Sequence, residues 1–345
     1  MSRVGIIANP ASGKDIRRLV SQATVFSNYD KTGVVKRVIL GLDSTGVDEI
    51  LIMPDTYGLG FRALEGLDHH HVSSKITILD FEIEGTQDVS ILAAHLMKES
   101  KVDCIITLGG DGTNRVVSKA CGDVPLIPIS TGTNNVFPVM TEGTTAGMAA
   151  GILARKVVDE SQVTTTVKKL ELLSSGEKID LALVDAVTVT EAFIGARALW
   201  DPRSVREIFL TQSELGSIGM SSIGAVLQSV KAEDRFGLLI ELGPGGEKIQ
   251  APIAPGLITE VEVKSHRLLQ PGEKIPVTAS ASIVALDGER EVEINAKDRL
   301  ELSLSLDGPR VGDIQKILHA AREKGFFRRP LPTLTSSPRS DRFNS

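Results

Sequence analysis

An apolar run at residues 103–108 meets an amphipathic run at 112–121, and at their junction stand Gly109, Gly110, Asp111, Gly112 and Thr113. Three glycines around one aspartate let the backbone approach a ligand closely and turn its N–H groups inward. The helix expected to follow points its positive end at the same spot, which favours phosphate. An acidic side chain in such a nest is costly unless it serves Mg²⁺ or takes a hydroxyl proton, the two tasks that phosphoryl transfer requires. Asp111 is thus the candidate catalytic residue and metal ligand. Gly109, Gly110, Gly112, Thr113 and Asn114 are candidates for the phosphate cradle.

The same alternation runs through the first half of the chain. Short apolar segments at 4–8, 49–53, 75–79, 103–108 and 125–129 read as buried strands. Helical patterns lie at 15–23, 31–40, 57–67, 88–100 and 112–121, with Gly41 and Gly122 placed as helix stops. Such alternation predicts an α/β N-terminal domain with a parallel doubly wound sheet, whose ligands bind at the carboxyl ends of strands. Beyond about residue 155 the pattern changes. Val-, Ile- and Thr-rich segments at 163–173, 181–190, 236–242, 258–263 and 282–286, separated by turn clusters, predict a β-rich C-terminal domain. A helix over 313–324, with Asp313 as N-cap and Gly325 just past its end, closes the ordered chain. The expected division is 1–140, 141–310, a helix at 311–325 packing back on the first domain, and a disordered tail at 326–345.

Two further loops follow predicted strands. Asn9-Pro10-Ala11-Ser12-Gly13-Lys14 carries a hydroxyl, a glycine and a cation suited to phosphate, but Ala8 and Asp15 stand where a P-loop needs glycine and Ser/Thr. Ser130-Thr131-Gly132-Thr133-Asn134-Asn135 offers hydroxyls and amides at the end of the fifth strand. Asn9, Ser12, Gly13, Thr131, Gly132, Thr133, Asn134 and Asn135 are therefore candidate ligand contacts. Asn9, Asp111 and Thr133 are expected to line one cleft.

Composition narrows the function classes. With 41% hydrophobic and 24% charged residues the chain reads as globular. No apolar run approaches the ~18 residues of a membrane span. No basic amphipathic helix for membrane docking is apparent, and a formal net charge of -6 argues against nucleic acid. Residues 4–8 run straight into Asn9-Pro10 without a basic-then-apolar leader, so a cytoplasmic location is expected. Two cysteines, Cys104 and Cys121, make no disulfide framework. His69, His70 and His71 read as a solvated loop, and Trp200 as a packing residue. The β-rich domain has edges able to pair in a homo-oligomer.

The segments Asn9–Gly13, Gly109–Thr113 and Thr131–Asn135, in this order, resemble the motifs of the NAD-kinase and diacylglycerol-kinase superfamily. Leu286-Asp287-Gly288-Glu289 adds to the likeness, since lipid kinases of this class carry a similar Asp-Gly-Glu. The N-terminal segment 5–18 and the overall length are similar to the acetoin-catabolism protein X family, which is ATP-NAD-kinase-like. The resemblance covers about residues 4–324. It implies a nucleotide site between the two domains, ATP as donor, Mg²⁺, Asp287 as a second metal ligand, and a nucleotide or other small-molecule acceptor. Where NAD kinases carry an Asn-Glu pair against the dinucleotide, this chain has Val184 and Asp185, with Asp185 expected to contact the ligand. Residues 216–222 loosely echo the Ser/Thr-Gly-rich loop of that superfamily. Three functions fit these signals: an NAD-kinase-like phosphotransferase, a lipid or polyol kinase, and a nucleotide-binding regulator without catalysis.

Overall fold

The computed structural model describes residues 1–13, 26–67, 71–81, 86–132, 134–190, 204–277, 283–288, 290–294 and 299–328. Lys14, the helical pattern at 15–23, His69, His70, Thr133, Trp200, Glu289 and the tail beyond 328 lie outside the described residues. The first half is built from β1 (Arg3–Ala8), α1 (Asn28–Ser44), β2 (Glu49–Ile52), α2 (Leu59–Glu65), β3 (Lys75–Ile78), α3 (Thr86–Glu99), β4 (Cys104–Gly109), α4 (Asp111–Ser118) and β5 (Leu126–Ser130). Then come α5 (Gly143–Ala154), the single turn α6 (Glu160–Val163), β6 (Thr164–Thr166), β7 (Lys169–Ser174), β8 (Glu177–Ala182), β9 (Asp185–Val189) and β10 (Val205–Leu210). The remainder is α7 (Met220–Leu227), β11 (Gly237–Ala254), β12 (Leu257–Leu269), β13 (Lys274–Pro276), β14 (Ile283–Leu286), β15 (Arg290–Glu293), β16 (Leu300–Ser305), β17 (Arg310–Gly312) and α8 (Ile314–Glu323).

The first five strands are parallel, in the order β3-β2-β1-β4-β5. Chain order reverses between β1 and β4, which opens a crevice beyond their carboxyl ends. β1 is nearly continuous in apolar residues because helices cover both its faces. Val4, Ile6 and Ala8 pack with α1 and α5, whereas Ile7 faces Met97 of α3 and Val117 of α4. A six-stranded antiparallel sheet, β12-β11-β10-β9-β14-β15, and a four-stranded one, β13-β16-β7-β8, make the second half β-rich. Among the described residues no helix is long and apolar enough to cross a membrane.

Three readings of the sequence change. Helix α1 runs through Gly41 instead of stopping there, and it begins at Asn28, where Ser27 and Asp30 form a reciprocal capping box. Gly41 is glycine because α5 lies against it: a β-carbon there would collide with the carbonyl oxygen of Thr144. The helix α5 itself has glycines at 143, 147 and 151 facing α1 and Thr45, a small-residue seam with little helical signature in the sequence. The segment 216–222, likened to a glycine-rich loop, runs at its end into helix α7 over 220–227. The end of α8 does follow the sequence: Asp313 caps Lys316 N, and Gly325 adopts a φ of 72°.

Candidate active site

The Gly109–Thr113 run lies where predicted, at the end of β4 and the start of α4. Its first two glycines are required by neighbours, not by open space. A β-carbon on Gly109 would come within 2.5 Å of Thr113, and one on Gly110 within 2.8 Å of Asn135 Oδ1. The three candidate loops interlock across the crevice. Asn9 Nδ2 donates to Thr113 Oγ1 at 3.0 Å, and Thr131 Oγ1 donates to Ser12 Oγ at 3.0 Å. Gly13, at a φ of 68°, packs under the Thr131 carbonyl, and Asn135 Nδ2 donates to Ser130 Oγ at 2.7 Å. Asn114 is wholly buried: it accepts from Thr107 Oγ1 at 2.6 Å and donates to the Gly110 carbonyl at 2.9 Å. It therefore braces the turn from within.

Beneath the Asn9 loop lies a fully buried ammonium that the sequence did not reveal. Lys31 Nζ donates to the carbonyls of Asn9, Pro10 and Ser12 at 3.0, 3.0 and 2.6 Å and to Asn28 Oδ1 at 3.1 Å. In an amphipathic helix such a lysine reads as solvated, because its partners are backbone atoms from another loop.

Asp111 occupies the first turn of α4 and reaches outward. Its carboxylate accepts N–H bonds from Val136 at 3.1 Å and from Phe137 at 2.8 Å. Beside it opens a small cavity lined by Asn134, Val136, Asp185, Met220 and Asp287, among others. Burial pushes the Asp111 carboxyl up to about 8, helped by the negative charges of Asp287 and then Asp185 and opposed by the two amides. Near neutral pH this group is poised to exchange a proton.

Asp287 behaves differently. It holds a φ of 50°, a left-handed conformation that aspartate tolerates better than most side chains. Its carboxylate accepts the N–H groups of Leu183 at 2.9 Å, Val184 at 2.8 Å and Asp185 at 3.1 Å, tying β14 to the corner between β8 and β9. Burial pushes its pKa up, against those amides and Arg115. Arg115, one turn after Asp111 on α4, is entirely buried. Its Nη1 donates to Asp180 Oδ1 at 3.2 Å and its Nε lies 4.0 Å from Asp287 Oδ2, while Nε and Nη2 have no hydrogen-bond partner among the described residues.

Mg²⁺ here would rest on one or two carboxylates together with the phosphates of a bound nucleotide, as is usual for this ion. Among the described residues no three histidine, cysteine or acidic side chains gather as a metal-binding group. Asp287, expected as a metal ligand, has its oxygens occupied by three backbone donors and is an anchor instead. The Val184 reading also changes, since that side chain is buried in the core and does not line the cavity, whereas Asp185 does. The site brings together Asn9, Ser12, Gly13, Gly109, Gly110, Gly112, Thr113, Thr131, Gly132, Asn134 and Asn135 at the sheet's carboxyl edge and sets Asp111 and Asp185 at the adjoining cavity. Gly219, at a φ of 99°, and Met220 add the N-terminus of α7 to that cavity.

Two family models match parts of the chain. Residues 64–157 match the ATP-NAD kinase N-terminal domain, and residues 168–307 match the acetoin catabolism protein X C-terminal domain. The chain is 38% identical over 331 residues to a protein of Cupriavidus necator described as acetoin catabolism protein X, covering 92% of each.

Proposed function

The chain belongs to the acetoin catabolism protein X family, and from that premise we propose that it is a phosphotransferase, moving the terminal phosphoryl group of ATP to the hydroxyl of NAD or a related small substrate in the cytoplasm. The observation that carries this reading is Asp111: a carboxyl gripped by the Val136 and Phe137 amides, with a pKa of about 8, between a phosphate-type loop and a small cavity. The inward N–H groups of 109–113 and the positive end of α4 suit the donor phosphates. The acceptor oxygen attacks the γ-phosphorus and the bond to the β,γ-bridging oxygen breaks. The hydroxyl proton passes to ionised Asp111, and ADP leaves. Backbone N–H groups and helix ends meet part of the charge at the donor phosphates.

A role in acetoin breakdown is part of the proposal, taken from the described role of the Cupriavidus necator relative. The decisive experiment follows phosphate transfer from ATP, and from polyphosphate, to NAD, diacylglycerol and small alcohols. Transfer to one acceptor, lost in Asp111→Asn, is the expected result. Binding of ATP without transfer to any acceptor would sink the enzymatic reading in favour of a nucleotide-binding regulator.

A further inference from the structure

A groove with room for about 460 Å³ runs between the two halves of the chain, behind the 135–137 segment that grips Asp111. A space of that size suits a small molecule. Val136 lines both this groove and the Asp111 cavity, and Gln212 Nε2, on the groove side, donates to the Val136 carbonyl at 3.4 Å. The phosphotransfer chemistry makes no use of the groove.

Lys168, in the link between β6 and β7, stands in the groove wall although it is buried. Its Nζ donates to the carbonyls of Lys231 and Phe236 at 2.8 Å each, its hydrogen-bond partners among the described residues. An ammonium has three protons to donate, so one remains for an acceptor in the groove. Asp234 and Glu233 act on it through their charge, but among the described residues no acidic side chain bonds to it directly. Burial of an ammonium without a paired anion is costly, and it pulls the Lys168 pKa down to about 8. An anionic ligand would relieve that cost through a charge-assisted hydrogen bond.

The rest of the wall limits what the anion is attached to. Leu183 and Val311 are aliphatic, and Val139 and Leu215 stand at the rim 67% and 81% exposed. An alkyl chain lying against them would take that surface out of water. Glu214, exposed, is the other charged residue described on the lining. With one cation set against Glu214, Glu233 and Asp234, a second negative charge on the ligand would meet repulsion.

We infer that this groove is a second ligand site, across the 135–137 segment from the Asp111 cavity, for an aliphatic monocarboxylate. Its carboxylate takes the remaining Lys168 N–H, and its chain lies against Val139 and Leu215.

Binding to the full chain tests this with neither nucleotide nor turnover, so the outcome is independent of the phosphotransferase reading. Calorimetry and amide-shift mapping by NMR compare butyrate, hexanoate, hexanol, hexylamine and hexyl phosphate. Hexanoate should bind about tenfold or more tightly than the other hexyl compounds, and severalfold more tightly than butyrate. The shifted amides should cluster at 139, 167–168 and 211–217 and spare 285–288 on the far side of the segment. Lys168→Met should abolish the preference for hexanoate over hexanol. Because that variant leaves two carbonyls without their donor, Leu215→Glu decides where it does not fold. A carboxylate at that exposed rim position should weaken hexanoate binding about fivefold and leave the melting temperature unchanged. Binding as tight by hexanol, hexylamine or hexyl phosphate would overturn the inference, as would no binding of hexanoate. So would shifts confined to the Asp111 cavity, or undiminished hexanoate affinity in a folded Lys168→Met or in Leu215→Glu.

Discussion

Asp111 is held in a place unfavourable to a carboxylate by two amides from the segment after β5. Replacement by asparagine keeps the size and an acceptor oxygen but removes the proton-accepting group. Turnover with the correct substrate pair should fall by roughly two or more orders of magnitude. Stability should move the other way. The folded carboxyl keeps its proton up to about 8, whereas the unfolded one loses it near its ordinary value of 3.8. The folded state thus binds more protons over that window, and the contribution of Asp111 to stability falls as pH rises from about 4 to 8. The asparagine variant lacks this loss. Its melting temperature relative to the wild type should therefore climb across that range and level off above it, and a pH-independent difference would contradict the assignment. The Gly109–Thr113 run was legible because its chemistry lies in consecutive residues. Asp287 was misread because its partners, the amides of 183–185, lie about a hundred residues away and leave no local trace.

Among the elements, strands were easier to recognise than helix boundaries. Buried parallel strands announce themselves as short apolar runs, so β1 to β5 fall within a residue or so of where the sequence puts them. Helices α1 and α5 were harder, because glycines that usually end helices here let two helices touch. Gly41→Val should force them apart and cost about 1–3 kcal/mol, as overpacking does, read as a lowered denaturation midpoint. A neutral result would mean that the seam is loose. Lys31 ties α1 to the Asn9 loop through three carbonyls. Lys31→Met leaves those oxygens without their donor and should destabilise the protein on the order of 3 kcal/mol. It should also weaken ATP binding, because the loop is released. Unchanged nucleotide affinity in a destabilised variant would show that the loop holds its shape without the lysine.

At the scale of the whole molecule, the chain leaves the first sheet at β5 and returns to it much later. Strand β17 lies parallel to β5 through Val311 and Leu126, and antiparallel to β6, so the first sheet has seven strands drawn from residues 3 to 312. Three residues at 310–312 carry no periodicity from which a strand could be read, so that strand, unlike the helix expected to pack back on the first domain, became visible only in three dimensions. Helix α8 follows at once and buries Ile317 and Ala321 in the core shared by α1, α5 and β1. The last described segment is therefore structural cement for the part of the molecule that carries Asp111. A chain ended after Gly308 would lack β17 and α8, uncovering the edge of β5 and the apolar face of α5. Edges and faces of that kind drive aggregation. The shortened protein should be largely insoluble, or lose hydrogen-exchange protection in β4 and β5 before it does so in β11 and β12. A soluble fragment whose β4 and β5 amides stay as protected as in the full chain would show that the five parallel strands stand without their late partners.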